Sequence, residues 1–351
     1  MSPRHPLRRT LGRALAATAA IAAAGAVLAA APSQAATSYV ALGDSYSSGT
    51  GTRTYINDGT SCQRSTYAYP SLIAAAKGYT LNFRACSGAR IPDVTNTQLS
   101  ALSSTTVKVT ISVGGNDAGF ADVLTECAMP GWASDCNGAI DGAQNYINTT
   151  LPGQLSTLYG QIRAKAPNAK VVVVGYPRIF MGEDCNAFTW FSPDEQTRLN
   201  QTADLLNSKT SAQASARGFS FANPTSRFIG HAVCDSPEWI NGLSDPVSES
   251  YHPNVAGHRD GYTPVVSTPL TSTTLAVDAA TMRKAAASAD RLATQQRQYA
   301  ARDASIEPKE FRLPDLTTPE VKAAAARAGV DLSSRASIDA ADRVWSQRQA
   351  R

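Results

Sequence analysis

Four consecutive valines, Val171-Val172-Val173-Val174, restrict the folds open to this chain more than any other feature. A β-branched run with no polar alternation suits a strand buried on both faces, and such strands belong to parallel sheets covered by helices on either side. Lys170–Gly175 encloses the valines, and comparable apolar runs occur at Tyr39–Leu42, Leu81–Ala85, Val107–Val113 and Phe219–Ala222. Longer amphipathic stretches separate these runs, which is the pattern of βα units and predicts an α/β fold with a central parallel sheet. Helices are expected over Tyr67–Lys77, Gln144–Lys165 and Ser192–Ala216. The last begins at Ser192-Pro193-Asp194-Glu195, an N-cap with proline in the first turn and acids near the positive end of the helix dipole.

Residues 1–36 stand apart as a secretory signal peptide, because Arg4, Arg8, Arg9 and Arg13 precede an Ala-rich apolar run from Leu15 to Ala31. The small residues of Ser33-Gln34-Ala35 suit signal peptidase, with cleavage expected near Ala35 or Ala36. A membrane anchor is the weaker reading, since the run is mostly alanine and only about as long as the shortest spanning helices. The Arg8-Arg9 pair points weakly to the twin-arginine export route. Loss of these four arginines takes the formal charge of +4 to about 0. The basic pI therefore says nothing about nucleic acid, and no basic face with interleaved aromatics is present.

Export places the six cysteines, Cys62, Cys86, Cys127, Cys136, Cys185 and Cys234, in an oxidising compartment. Six cysteines allow about 15 pairings. The nearest-neighbour set, Cys62–Cys86, Cys127–Cys136 and Cys185–Cys234, closes short loops with the least topological demand. Metal binding is set aside, because neither Cys-x-x-Cys nor His-x-x-x-His spacing occurs.

At 351 residues the chain has room for one large domain and an appendage. Composition divides it at about residue 270, with Thr263–Thr274 rich in Pro, Ser and Thr like a linker. Residues 37–270 carry 15 basic and 18 acidic side chains, whereas residues 271–351 carry 13 and 10 and are rich in Ala, Arg, Asp and Gln. The extension is expected to be mainly helical, near Val277–Arg302 and Pro319–Ala328, with Phe311-Arg312-Leu313-Pro314 docking on the main domain. An inert tail and a functional module are both open for it, and a mostly alanine face gives an interfacial helix little membrane affinity.

Hydrolysis of an ester by a nucleophile needs the nucleophile, a base, a group to orient the base, and donors for the oxyanion. Gly43-Asp44-Ser45-Tyr46-Ser47-Ser48-Gly49 places a serine at the carboxyl end of the first strand, where open α/β sheets form their sites. Taken alone it reads as a turn. Cys86-Ser87-Gly88-Ala89 follows the second run, and Gly88 can offer a bare backbone N–H. Gly114-Gly115-Asn116-Asp117 follows the third and can aim a carboxamide into the same crevice. Of the histidines beyond the leader, His252 in His252-Pro253-Asn254 is best placed as the base, whereas His231 and His258 read as structural or surface residues. Asp44 and Asp117 are expected to cap turns or helix starts.

These four segments, taken in order, resemble the SGNH (GDSL-type) hydrolases over about residues 38–262, most closely the secreted actinomycete lipases and phospholipases, which also have an Ala-rich leader and six cysteines. The resemblance implies a flavodoxin-like three-layer α/β fold and no cofactor. It makes Ser45 the nucleophile and His252 the base, with the N–H groups of Ser45 and Gly88 and the amide of Asn116 as the oxyanion hole. The family's usual acid stands three residues before the histidine, where this chain has Glu249, and a main-chain carbonyl, that of Ser250 or Glu249, is the alternative orienter. A lipid ester is the expected substrate, first an acylglycerol or simple fatty ester, then a glycerophospholipid, handled by a monomer in transient contact with a lipid interface. Phe120, Met129 and Trp132 within Ala118–Ala139 could receive an acyl chain or pack under a disulfide loop. The rival readings are a carbohydrate acetylesterase and, from another class, a secreted binding protein on an idle hydrolase scaffold.

Overall fold

A computed structural model describes residues 36–349; the leader through Ala35 lies outside the described residues. Along the chain run β1 (Ser38–Gly43), the one-turn α1 (Ser45–Ser48), α2 (Tyr69–Lys77), β2 (Thr80–Phe83), a short α3 (Ile91–Asp93), β3 (Lys108–Ser112), α4 (Phe120–Cys127), α5 (Cys136–Thr149), α6 (Leu151–Lys165), β4 (Lys170–Val174), α7 (Pro193–Ala216), β5 (Ser220–Ala222) and α8 (Thr263–Thr271). The extension adds α9 (Ala279–Ala286), α10 (Ala289–Arg297), α11 (Ala300–Asp303), α12 (Pro319–Ala328) and α13 (Arg335–Gln349).

All five strands are parallel in the order β2-β1-β3-β4-β5, the flavodoxin-like arrangement. Val171–Val174 are buried, as are Val40, Leu42, Val109 and Ile111 beside them, so the sheet is covered on both faces. Strand order reverses between β1 and β3, and a crevice opens at their carboxyl ends. Gly43 makes their closeness possible: its φ is +121°, and a Cβ there would lie 2.3 Å from the Ser112 carbonyl oxygen.

Three expected boundaries move for local reasons. The helix expected over Gln144–Lys165 is two helices, α5 and α6, because Pro152 has no N–H to continue the ladder. Asp135 also starts α5 earlier, accepting from Gly138 N at 3.2 Å. The linker expected over Thr263–Thr274 contains α8, since Pro264 sits where a first turn tolerates it and Val266 and Leu270 are buried. The single helical region expected over Val277–Arg302 divides into α9, α10 and α11, and α13 follows where no helix was expected.

The described residues pack as one compact unit. From the extension, α9 lies on α2 and α10 on β2, and Phe311 is buried with its ring 4.9 Å from and nearly perpendicular to that of Tyr251. A polar cluster fastens the junction. Arg64 and Arg84 are fully buried, and Asp303 of α11 accepts from Arg64 at 2.6 Å and from Arg84 at 2.6 and 3.0 Å. Asp58 takes the other side of Arg64 at 2.6 Å, while Gln296 and the Tyr299 ring complete the surroundings of Arg84.

Removal of one partner from a buried ion pair leaves an uncompensated charge. Asp303→Asn is therefore expected to cost about 3–5 kcal/mol in urea unfolding; a loss within the ordinary range of surface substitutions would show that the arginines find other partners.

Candidate active site

The serine follows directly from the sheet. Asp44 follows β1 directly and caps α1, its carboxylate accepting from Tyr46 N at 3.1 Å, so Ser45 is the first residue of a one-turn helix at the switch point. Asp44 is also the hub beneath it, accepting from Ser112 Oγ at 2.6 Å and Tyr176 OH at 2.5 Å. Burial pushes its carboxyl up to about 6.

Ser45 Oγ lies 2.9 Å from His252 Nε2, and His252 Nδ1 lies 2.9 Å from the Ser250 carbonyl oxygen. A carbonyl only accepts, so Nδ1 bears the proton and Nε2 receives the serine O–H. The turn that aims this carbonyl uses Tyr251 in the left-handed region, φ +61°, an uncommon conformation for a bulky side chain. Its ring is locked among Phe180, Phe191 and Phe311, and its carbonyl accepts from Tyr46 OH at 2.7 Å. Burial pulls His252 down to about 4, only partly opposed by the bond to Ser250, so the ring is a free base at neutral pH.

Glu249 turns elsewhere. Its carboxylate accepts from Tyr55 OH at 2.6 Å and faces Arg53 at 3.7 Å, so of the three candidate orienters, that carboxylate and the carbonyls of Glu249 and Ser250, the Ser250 carbonyl is the one at the imidazole.

Gly88 has φ +79° in the loop after β2, where the Cys62–Cys86 disulfide and the bond from Ser87 N to Cys62 O hold it. The N–H groups of Ser45 and Gly88 have no acceptor among the described residues. Asn116 Nδ2 gives one hydrogen to Ala89 O at 3.1 Å and keeps the other. The structure also contains the Cys127–Cys136 and Cys185–Cys234 disulfides.

The remaining candidates are structural. His231 stacks on Trp239 and bonds Pro237 O, His258 is buried against Tyr69, and Asp117 accepts from Ile91 N at 3.0 Å.

From Ser45 an apolar cavity runs under α4, between α5 and α7. Phe120, Val123, Leu124, Ile147, Leu199 and Leu206 line it. Of the apolar residues expected to receive an acyl chain, Phe120 lines this cavity; Met129 and Trp132 do not, because the loop after α4 leads them away to where α12 and α13 pack. The α5 and α7 walls escaped the sequence reading, since helical spacing of apolar residues looks the same around a cavity as in a filled core.

A hydroxyl facing a neutral imidazole, beside free backbone donors at the switch point of a parallel sheet, is the arrangement that ester hydrolysis by a nucleophilic hydroxyl requires. Comparison with known proteins narrows the class. Residues 41–259 match the GDSL-like Lipase/Acylhydrolase family. Lipase 1 of Streptomyces coelicolor is 46% identical over 256 residues, which is 72% of this chain and 94% of that protein. The crystal structure of the extracellular lipase of Streptomyces rimosus, 44% identical, superposes with a TM-score of 0.64 over 67% of this chain and all of that one. Phospholipase A1 of Streptomyces albidoflavus, 42% identical, gives 0.64 over the same shares. This chain belongs to the GDSL-like lipase/acylhydrolase family and is a carboxylic-ester hydrolase with the SGNH-hydrolase fold.

Two measurements test the geometry. NMR titration of the His252 ring, assigned by its loss in His252→Ala, is expected to give a midpoint near 4; a midpoint at the ordinary 6.5 would mean a hydrated ring. Burial takes His258 to about 3, so both rings are neutral when folded and charge below about 6.5 when unfolded. Their contribution to stability is complete above 6.5 and is lost as pH falls through these lowered values. Because the Glu249 carboxylate does not meet the imidazole, Glu249→Gln should leave kcat within about threefold; a loss of a thousandfold would place the carboxylate back in the mechanism.

Proposed function

We propose that this chain is an exported lipid-ester hydrolase in which Ser45 is the nucleophile and His252 the base. The observation that carries this reading is the line from the Ser250 carbonyl through His252 to Ser45, ending at the mouth of an apolar cavity. Ser45 Oγ attacks the ester carbonyl carbon as its proton passes to His252 Nε2. The oxyanion is held by the N–H groups of Ser45 and Gly88 and the spare hydrogen of Asn116; loss of one such donor costs about 10²–10³ in kcat. Collapse breaks the bond to the alcohol oxygen, which takes the proton from His252. Water then repeats the sequence on the acyl-enzyme. Ser250 steadies the Nδ1 proton with a dipole, which stabilises the imidazolium less than a carboxylate does.

The apolar lining supports an acyl chain as the buried part of the substrate. It counts against an acetylated polysaccharide, which needs a long aromatic cleft, and none of Trp132, Trp190, Trp239 and Trp345 lines it. A fatty ester or acylglycerol is the first choice of substrate and a glycerophospholipid the second, the latter favoured by the Streptomyces albidoflavus relative. Export is supported by the leader sequence, the three disulfides and the extracellular Streptomyces rimosus lipase. No helix among the described residues is long and apolar enough to cross a membrane, and we infer a monomer that touches lipid only transiently.

Stoichiometric labelling by a fluorophosphonate, abolished in Ser45→Ala, is expected, with p-nitrophenyl palmitate and a phosphatidylcholine both cleaved faster than p-nitrophenyl acetate. Folded protein that takes no label would make the chain a binding protein, and a preference for acetate would make it an acetylesterase.

A further inference from the structure

The extension reaches the cleft. Beyond Asp303, Ile306 is buried with Cys62, Cys86 and Ala89, which fastens the chain beside the loop that carries Gly88. Pro308 then lies on Gly88 itself: a Cβ on that glycine would be 2.3 Å from Pro308 Cα and 2.5 Å from its Cβ. Lys309 Nζ pairs with Asp122 of α4 at 2.5 Å, and Arg312 N donates to Thr125 Oγ1, also on α4, at 3.0 Å. Between these, Phe311 is buried against Tyr251. The segment bridges the two banks of the cleft, and Ser45 keeps only 5% of its surface exposed.

None of this segment lines the cavity under α4. The acyl chain and the alcohol leave the carbonyl carbon in diverging directions, so an ester with its acyl chain in that cavity holds its alcohol on the side of Gly88 and His252. We propose that Glu307–Phe311 forms the alcohol-side wall of the cleft and favours esters of small alcohols over those of bulky head groups. The inference rests on the assignment of Ser45 and His252 given above. It sets this chain apart from the Streptomyces rimosus lipase, all of which is matched by 67% of this chain. The wall is held by Asp303 at one end and by α12 and α13, against the Gly131–Ala133 turn, at the other, so it narrows the cleft as a fixed part of the fold.

The test holds the acyl group constant and varies the alcohol. Lys309→Ala and the double variant Pro308→Gly/Lys309→Gly change exposed or half-exposed residues outside the catalytic groups, and circular dichroism checks that both fold. Each is assayed on methyl octanoate and dioctanoyl phosphatidylcholine, and on methyl esters of increasing acyl length. The ratio of kcat/KM for the phosphatidylcholine to that for methyl octanoate is expected to rise about tenfold or more, the discrimination that a few pocket contacts provide, with the acyl-length profile unchanged. An unchanged ratio, or an equal rise on every ester, overturns the wall; the equal rise would make the segment a general cover. Fluorophosphonate titration of each variant separates the two proposals, because absence of label on Ser45 is a failure of the functional reading itself.

Discussion

Three strand ends are tied together by one carboxyl group. Asp44, just after β1, takes a hydrogen bond from Ser112 at the end of β3, another from Tyr176 after β4, and a third from the backbone of Tyr46 in α1. The first two close the crevice at the switch point; the third orients the helix that begins with the serine. This only works because Gly43 brings β1 against Ser112 without a side chain between them. Burial disfavours the ionised form of Asp44, and the three donors act in the opposite direction. The placement of Ser45 is therefore a property of the sheet, with the loops adding to it.

The unusual member of the constellation is the carbonyl behind His252. A carboxylate would steady the imidazolium more strongly, yet it would bring a second charge into a site already closed to water. A peptide dipole avoids that desolvation and still sets the tautomer. Its aim depends on the left-handed backbone of Tyr251, which the surrounding aromatic rings hold in place.

Much of this was legible because it is local. The valine run announced a doubly covered strand, and the glycines around Ser45, at Gly88 and at Gly114-Gly115 marked places where backbone must turn or approach closely. His252 was legible from its setting beside Pro253. Features made by distant partners were not. Nothing near Asp44 in sequence points to Tyr176, and Ile147 and Leu206 repeat like core residues although they border empty space. Glu249 occupies the position of the family's acid, but only the fold shows that Tyr55 claims its carboxylate. The Pro264 and Pro269 that made α8 resemble a linker sit in a helix whose buried side was invisible to composition.

The cluster around Asp303 has a consequence in time. Arg84 lies in the first quarter of the chain, yet its carboxylate, its amide partner Gln296 and the ring of Tyr299 all come from the last fifth. Synthesis runs from the amino end, so a growing chain holds the sheet's residues for a long interval with a guanidinium that has no counter-ion. Burial of Arg84 with its charge balanced requires the segment that carries Asp303. The charge of a buried arginine in the sheet's half of the chain is thus balanced from 219 positions downstream, and a chain that stopped before Asp303 would leave Arg84 without its carboxylate.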